Sequence, residues 1–227
     1  MLIYMTVIPV VATIAGAAYA LWRRPGAIFT AAVQHLAAGV VFATASAELL
    51  PDILHSAGPL TTLIGGGAGI LVMLAIRGLE AKLSGPVGLL TGVGVDILVD
   101  GLVLGIGFAT DLRVGILLTI ALTFEVLLLG LSSVMALEGT GVPPRRRLLL
   151  VSALALLLPA GVFLATPVAL LPEQIKLGVL TFGLVALLFL VTEELLIEAH
   201  EVEERSWVTA MFFVGFLGLI LLDEIMR

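Results

Sequence analysis

Two aspartates, Asp96 and Asp100, stand four residues apart near the middle of a long apolar stretch, 85–109. On a helix that spacing stacks both carboxylates on one face, about 5–6 Å apart. A helix rises about 1.5 Å per residue, so about 20 residues cross the hydrocarbon of a bilayer and both acids fall near its middle. Holding a charge there costs at least about 2.5–3.5 kcal/mol. Like charges so close in a low dielectric cannot both stay ionised unless a cation lies between them. The pair reads as a cation site or a proton relay; the structural alternative is a protonated pair that ties helices together by hydrogen bonds. Glu125 lies at a similar depth in the next apolar stretch. A short connection at 109–113 makes these two stretches antiparallel neighbours, so three acids converge at the midplane. No Lys or Arg falls at that depth, which argues against salt bridging there.

Further acids mark the ends of two other apolar stretches. Glu48 and Asp52 lie near one end of the second, and Glu194 and Glu198 near the end of the seventh, with His200 beside them. Acidic mouths concentrate cations, so these residues are candidate entrance and exit sites. Glu201, Glu203 and Glu204 read as a solvated helix end, and Asp223 and Glu224 as interfacial. His35 reads as a hydrogen-bonded packing residue and His55 as a solvated loop residue.

The elements that must position these groups are membrane helices. The chain of 227 residues is 60% hydrophobic and 12% charged, with mean hydropathy +1.23. Soluble domains carry about 25% charged residues. The absence of cysteine excludes disulfides and thiolate ligands. The net charge of -6 says little about partners, because much of the acid lies within or beside apolar segments. The first apolar run is span-length with no basic segment before it, which predicts a retained helix rather than a cleaved signal. Eight helices are expected, at 2–21, 26–50, 60–76, 85–109, 113–137, 147–170, 174–200 and 206–226. Most are separated by Gly and Pro, as at Pro25-Gly26, Gly58-Pro59, Gly85-Pro86 and Pro143-Pro144. They fill the chain, leaving one polytopic, all-α integral membrane domain over 1–227. Gly101, Gly105 and Gly107 would let helices approach closely.

One set of connections holds Arg23, Arg24, Arg77, Lys82, Arg145, Arg146, Arg147 and Arg205, against Arg113, Lys176 and Arg227 on the other side. Basic loops face the cytoplasm, so both termini are expected outside a cell membrane, plasma or inner. A weak repeat relates Ala47-Glu48-Leu49-Leu50-Pro51-Asp52 to Glu193-Glu194-Leu195-Leu196-Ile197-Glu198. Their helices run in opposite directions, so an inverted repeat of helices 1–3 and 6–8 around the central helices 4–5 is expected, a plan common in transporters.

With eight spans and acids at these places, the chain resembles the ZIP family of divalent-metal transporters. The resemblance rests on Gln34 through Pro51 in the second helix, Asp100-Gly101-Leu102-Val103-Leu104-Gly105 in the fourth and Ala186 through His200 in the seventh. It implies alternating access around metal ligands Asp96, Asp100 and Glu125, with Glu48 recruiting the ion and Glu194 and Glu198 receiving it. The family's fourth helix usually reads H-N-x-P-E-G; here Asp96, Ile97, Val99 and Asp100 take the His, Asn, Pro and Glu places. Of the fifth helix's ligands only Glu125 remains. An all-carboxylate site suits harder ions better than imidazole does, so the substrate cation, among Mn, Mg, Fe and Zn, is not resolved. The expected partners are the bilayer, the metal ion and a second copy of the chain in a homodimer, with no nucleic acid. A relative moving protons or another solute, or inactive in transport, is the alternative. An intramembrane aspartyl protease is more remote: it needs G-x-G-D, whereas Gly92-Val93-Gly94-Val95-Asp96 inserts a residue. No enzymatic activity is expected.

Overall fold

The computed structural model describes residues 2–23, 25–80, 82–83, 85–138, 140–202 and 205–226. Among them are eight helices long and apolar enough to cross a membrane, and no strand. They are α1 Leu2–Trp22, α2 Ala27–Ser56, α3 Pro59–Glu80, α4 Pro86–Thr110, α5 Leu112–Ala136, α6 Pro144–Val168, α7 Glu173–Ala199 and α8 Ser206–Met226. The protein is therefore an all-α integral membrane protein. Connections are short, so successive helices run antiparallel. One face carries Arg23, Arg77, Lys82, Arg145–147 and Arg205 and is called the basic face below; the opposite one is the distal face. Arg24 and Arg227 lie outside the described residues, as do Glu203 and Glu204.

Local chemistry explains the boundaries. Proline stands in the first turn of α3, α4 and α6, where its missing N–H removes no helical bond. Gly85 enters α4 at φ 70, ψ -151, a conformation open in practice only to glycine. Asp111 caps α5 by accepting the Arg113 backbone N–H at 2.7 Å. Two helices run longer than expected: α2 continues past residue 50 to Ser56, and α3 past 76 to Glu80. In α2 the chain passes Pro51 without breaking because the preceding segment, Ala45–Leu49, is a π-helical turn. Helix α6 is interrupted at Leu156, just before Pro159, and gives way to a 3-10 segment at Thr166–Leu170 around Pro167.

Helices α4 and α5 form the centre. In each, 67% of the best spanning window is buried, against 17% in α3 and 22% in α8, which face outward along most of their length. The packing is two-fold in pattern. Helix α1 lies on α5 as α6 lies on α4, and α8 lies on α2 as α3 lies on α7. Contacts without a Cβ make the register readable. A Cβ on Gly16 would stand 2.0 Å from Leu127 O, and one on Gly130 2.2 Å from Thr13 O. In the other half, a Cβ on Gly161 would stand 2.2 Å from Leu98 O, and one on Gly101 2.1 Å from Leu158 O. The two crossings are the same contact in opposite orientation. Close backbone approach by small residues is how helices associate where no hydrophobic effect drives them together.

The expected inverted repeat is clearest in α2 and α7. Both carry a π turn, Ala45–Leu49 and Val191–Leu195, at the segments whose sequences resemble each other. The Leu50 N–H donates to Ala45 O, and the Leu196 N–H to Val191 O. The second residue of each turn is a hydroxyl that bonds back one turn: Ser46 Oγ donates to Phe42 O at 2.7 Å, and Thr192 Oγ1 to Leu188 O at 2.9 Å. Pro51 does not cause the π turn, since α7 has Ile197 at the matching place and the same geometry. Glu48 and Glu194 are each the fourth residue of their turn.

Candidate functional site

The register that relates Leu98 to Leu127 and Gly101 to Gly130 also carries Asp96 onto Glu125. One acid from each central helix thus stands at the same depth, related by the repeat. Asp100 maps onto Leu129 and has no acidic mate. All three are buried, at 5% exposure for Asp96, 1% for Asp100 and 2% for Glu125. Within the protein, Asp100 Oδ2 and both Glu125 carboxylate oxygens have no hydrogen-bond partner. A buried acid without donors is costly unless protonated or matched by a cation. Asp96, Asp100 and Glu194 all lie close enough to Glu125 to act on it electrostatically, and Glu194 acts on Asp100 as well. Asp96, Asp100 and Glu194 thus all act on Glu125, while Glu194 also lines the cavity.

A cavity of about 340 Å³ leads to this group. It lies between α3, α4, α5 and α7, in their halves toward the basic face, and reaches Asp96. Its acids are Asp96, Glu193, Glu194 and Glu198, with Ser132 and Ser133 on the α5 wall. Its one basic lining residue is Arg77, which pairs with Glu193 and lies 6.0 Å from the Phe189 ring centroid. The balance is acidic, so the cavity favours cations over anions. Glu198 accepts a bond from Gln34 Nε2 at 2.6 Å, which ties α7 to α2 at the cavity wall. His200 is exposed beyond it and tilts against His35, ring centroids 5.0 Å apart. His35 is buried with Nδ1 at 2.9 Å from Ala31 O, while its buried Nε2 has no hydrogen-bond partner. His55 is exposed.

The distal mouth differs from expectation. Glu48 is not part of an open acidic funnel: it is 8% exposed and stands 3.7 Å from the Arg113 guanidinium. Asp223 is not interfacial but 3% exposed, and it too pairs with Arg113. Three helices, α2, α5 and α8, are thereby clasped by one guanidinium. Asp52 is partly exposed, one turn beyond Glu48. Reading helices one at a time could not find this clasp, because its members are far apart in sequence. Glu193 and Arg77 were missed for the same reason, though Glu193 stands next to Glu194 in the repeated motif.

Among the described residues, no three His, Asp or Glu side chains are assembled into a group that could hold a metal as they stand. The acids approach one another without closing a coordination sphere. The arrangement combines an acid-lined access from the basic face, buried carboxylates at mid-depth and the Arg113 clasp on the distal side. No protein-family model matches this chain, and no curated protein matches it either.

Proposed function

We propose that this protein is a ZIP-like carrier that moves a divalent metal cation through the mid-membrane carboxylates by alternating access. One observation carries the reading: an acid-lined cavity reaches Asp96, and Asp100 and Glu125 are buried close to its acids, with Asp100 Oδ2 and both Glu125 oxygens lacking any hydrogen-bond partner in the protein. A passing cation supplies the missing charge and ligand contacts. An unfinished coordination sphere suits a carrier, because a cargo held by a complete cage would not leave. In this conformation the ion reaches Asp96 from the basic face, which the Lys/Arg bias assigns to the cytoplasm of a cell membrane, with both termini outside. Asp96, Asp100, Glu125 and Glu194 bind the ion, and Glu198 and His200 line its way out. Oxygen-only ligands favour Mn-like or Mg-like ions over Zn relative to an imidazole-bearing site.

The test is binding and uptake by one variant. Mn²⁺ should raise the melting temperature of the purified chain and enter vesicles containing it. Asp100→Ala should lose both effects while still inserting, since removing a midplane acid eases insertion. Uptake unchanged in that variant would sink the proposal.

A further inference from the structure

Glu48 and Glu194 occupy the same place in the two π turns, yet their surroundings differ. Glu194 lines the open cavity and acts on Asp100 and Glu125. Glu48, its repeat mate, is clasped by Arg113 together with Asp223 on the distal side. The neighbouring position shows the same contrast: Glu193 lines the cavity, while Ala47 is half-buried at the distal end. In an inverted repeat, the second end state is approximated by exchanging the conformations of the two halves. Exchange would place Glu48 against the central acids, with Glu125 now facing an open distal cavity as Asp96 faces the present one. Asp100 has no mate and stays in the site in both states.

We propose that Glu48 and Glu194 take turns as ligands of the central site, and that Arg113 is the latch that holds Glu48 and Asp223 together while Glu194 is engaged. The proposal rests on the carrier reading for the ligand exchange, but the latch does not need a cation. With Arg113 on Glu48, the distal half cannot open without breaking a part-buried ion cluster that spans α2, α5 and α8. Release of Arg113 frees Glu48 for the centre and α8 to part from α5. The guanidinium is a tethered cation competing with the cargo for the distal carboxylates.

The chain has no cysteine, so single reporters are clean. Ser132→Cys, nearly isosteric, reports on the open cavity, and Ala47→Cys on the distal side. Each is placed in the parent, in Arg113→Gln, in Arg113→Lys, and in Arg113→Gln with Asp223→Asn, which removes the pair outright should the single change fold poorly. Reaction with a charged thiol reagent is followed in proteoliposomes without metal. Release of the latch should raise the Ala47→Cys rate about tenfold or more and lower the Ser132→Cys rate in step, with Arg113→Lys close to the parent. A rise at Ala47→Cys with no fall at Ser132→Cys means a loosened helix end and overturns the latch, as does no change at either. Mn²⁺ binding then tests the exchange. Glu194→Gln should weaken it more than Glu48→Gln in the parent, and the order should reverse in the Arg113→Gln chain. Equal effects in both backgrounds overturn the exchange and leave the carrier reading standing. No Mn²⁺ binding by the parent overturns the carrier reading and the exchange with it, while the labelling still decides the latch.

Discussion

Replacing Glu125 by Gln and by Leu separates a ligand from a structural acid. Glu125 is 2% exposed and neither of its oxygens has a protein partner. At 4 Å and an effective dielectric near 20, two unit charges interact by about 4 kcal/mol. Desolvation offsets much of that, so loss of one anionic ligand should weaken Mn²⁺ binding about 10- to 100-fold, or about 1.4–2.8 kcal/mol. Mn²⁺ at one hundred times the parent's Kd stabilises the folded chain by about 2.7 kcal/mol; a tenfold weaker site leaves about 1.4 kcal/mol. In a protein of this size 1 kcal/mol is about 2–4 °C in melting temperature. The Mn²⁺-induced shift should therefore fall from about 5–11 °C to half that or less in Glu125→Gln. Without metal the signs differ. Gln leaves a comparable number of unsatisfied polar atoms and should melt within a few degrees of the parent. Leu removes a buried group with no partner, whose burial costs about 1–3 kcal/mol, and should melt higher. The assay is thermal unfolding of the detergent-purified chains by circular dichroism, with and without Mn²⁺. If both variants melt several degrees lower without metal and keep the parent's Mn²⁺ shift, Glu125 holds helices together by hydrogen bonds and the reasoning fails.

Metal binding must displace protons from carboxylates, so affinity should fall as pH is lowered, and Asp96→Asn should flatten the dependence; calorimetry across pH checks this, and parallel curves would remove Asp96 from the site. Asp96→His brings an imidazole to the cavity end and should shift preference from Mn²⁺ toward Zn²⁺, read by competition titration, with an unchanged ratio counting against direct ligation. Gly101→Ala puts a Cβ where the Leu158 carbonyl stands, 2.1 Å away, and should lower the melting temperature by several degrees by forcing α4 and α6 apart, as overpacking costs about 1–3 kcal/mol. Gly67→Ala meets nothing within 4 Å and is the matched control, expected to melt like the parent.

The helices were legible because hydropathy and Gly/Pro punctuation are local properties, and a bilayer imposes helix on any apolar run of that length. The depth of Asp96, Asp100 and Glu125 followed by counting residues. The repeat was visible only where its copies share residue types, at Glu48-Leu49-Leu50 and Glu194-Leu195-Leu196. Its fuller expression lies in backbone contacts at Gly16, Gly101, Gly130 and Gly161 and in matching π turns, which leave almost no trace in composition. The ends of α2 and α3 were misplaced because Pro51 reads as a helix stop and a π turn cannot be foreseen from residue types. The distal mouth was misread for a different reason. Glu48 and Asp223 each look solvated on their own helix, and only the docking of α8 against α2, and of α2 against α5, buries both against the partly exposed Arg113.

In the carrier reading, the departures from the repeat would give the resting state its direction. Asp96 and Glu125 are mates, as are Glu48 and Glu194, and Asp52 and Glu198. A molecule built only of such pairs would hold its two end states at nearly equal free energy. Arg113 breaks the balance: its guanidinium binds Glu48 and Asp223 across three helices on one side. The other side's nearest equivalent is Arg77 with Glu193, a pair half open to solvent at 50% and 39% side-chain exposure. An exposed pair contributes about 0–1 kcal/mol; the carboxylates held by Arg113 are buried, and its guanidinium is 29% exposed, so breaking that clasp costs more than breaking the Arg77 pair. In that reading the difference favours a closed distal side and an open basic side, where the cavity lies. Asp100, the acid without a mate, needs no repositioning when the halves exchange. In the carrier reading proposed above, it is the one ligand that a cargo need not release as the protein changes sides.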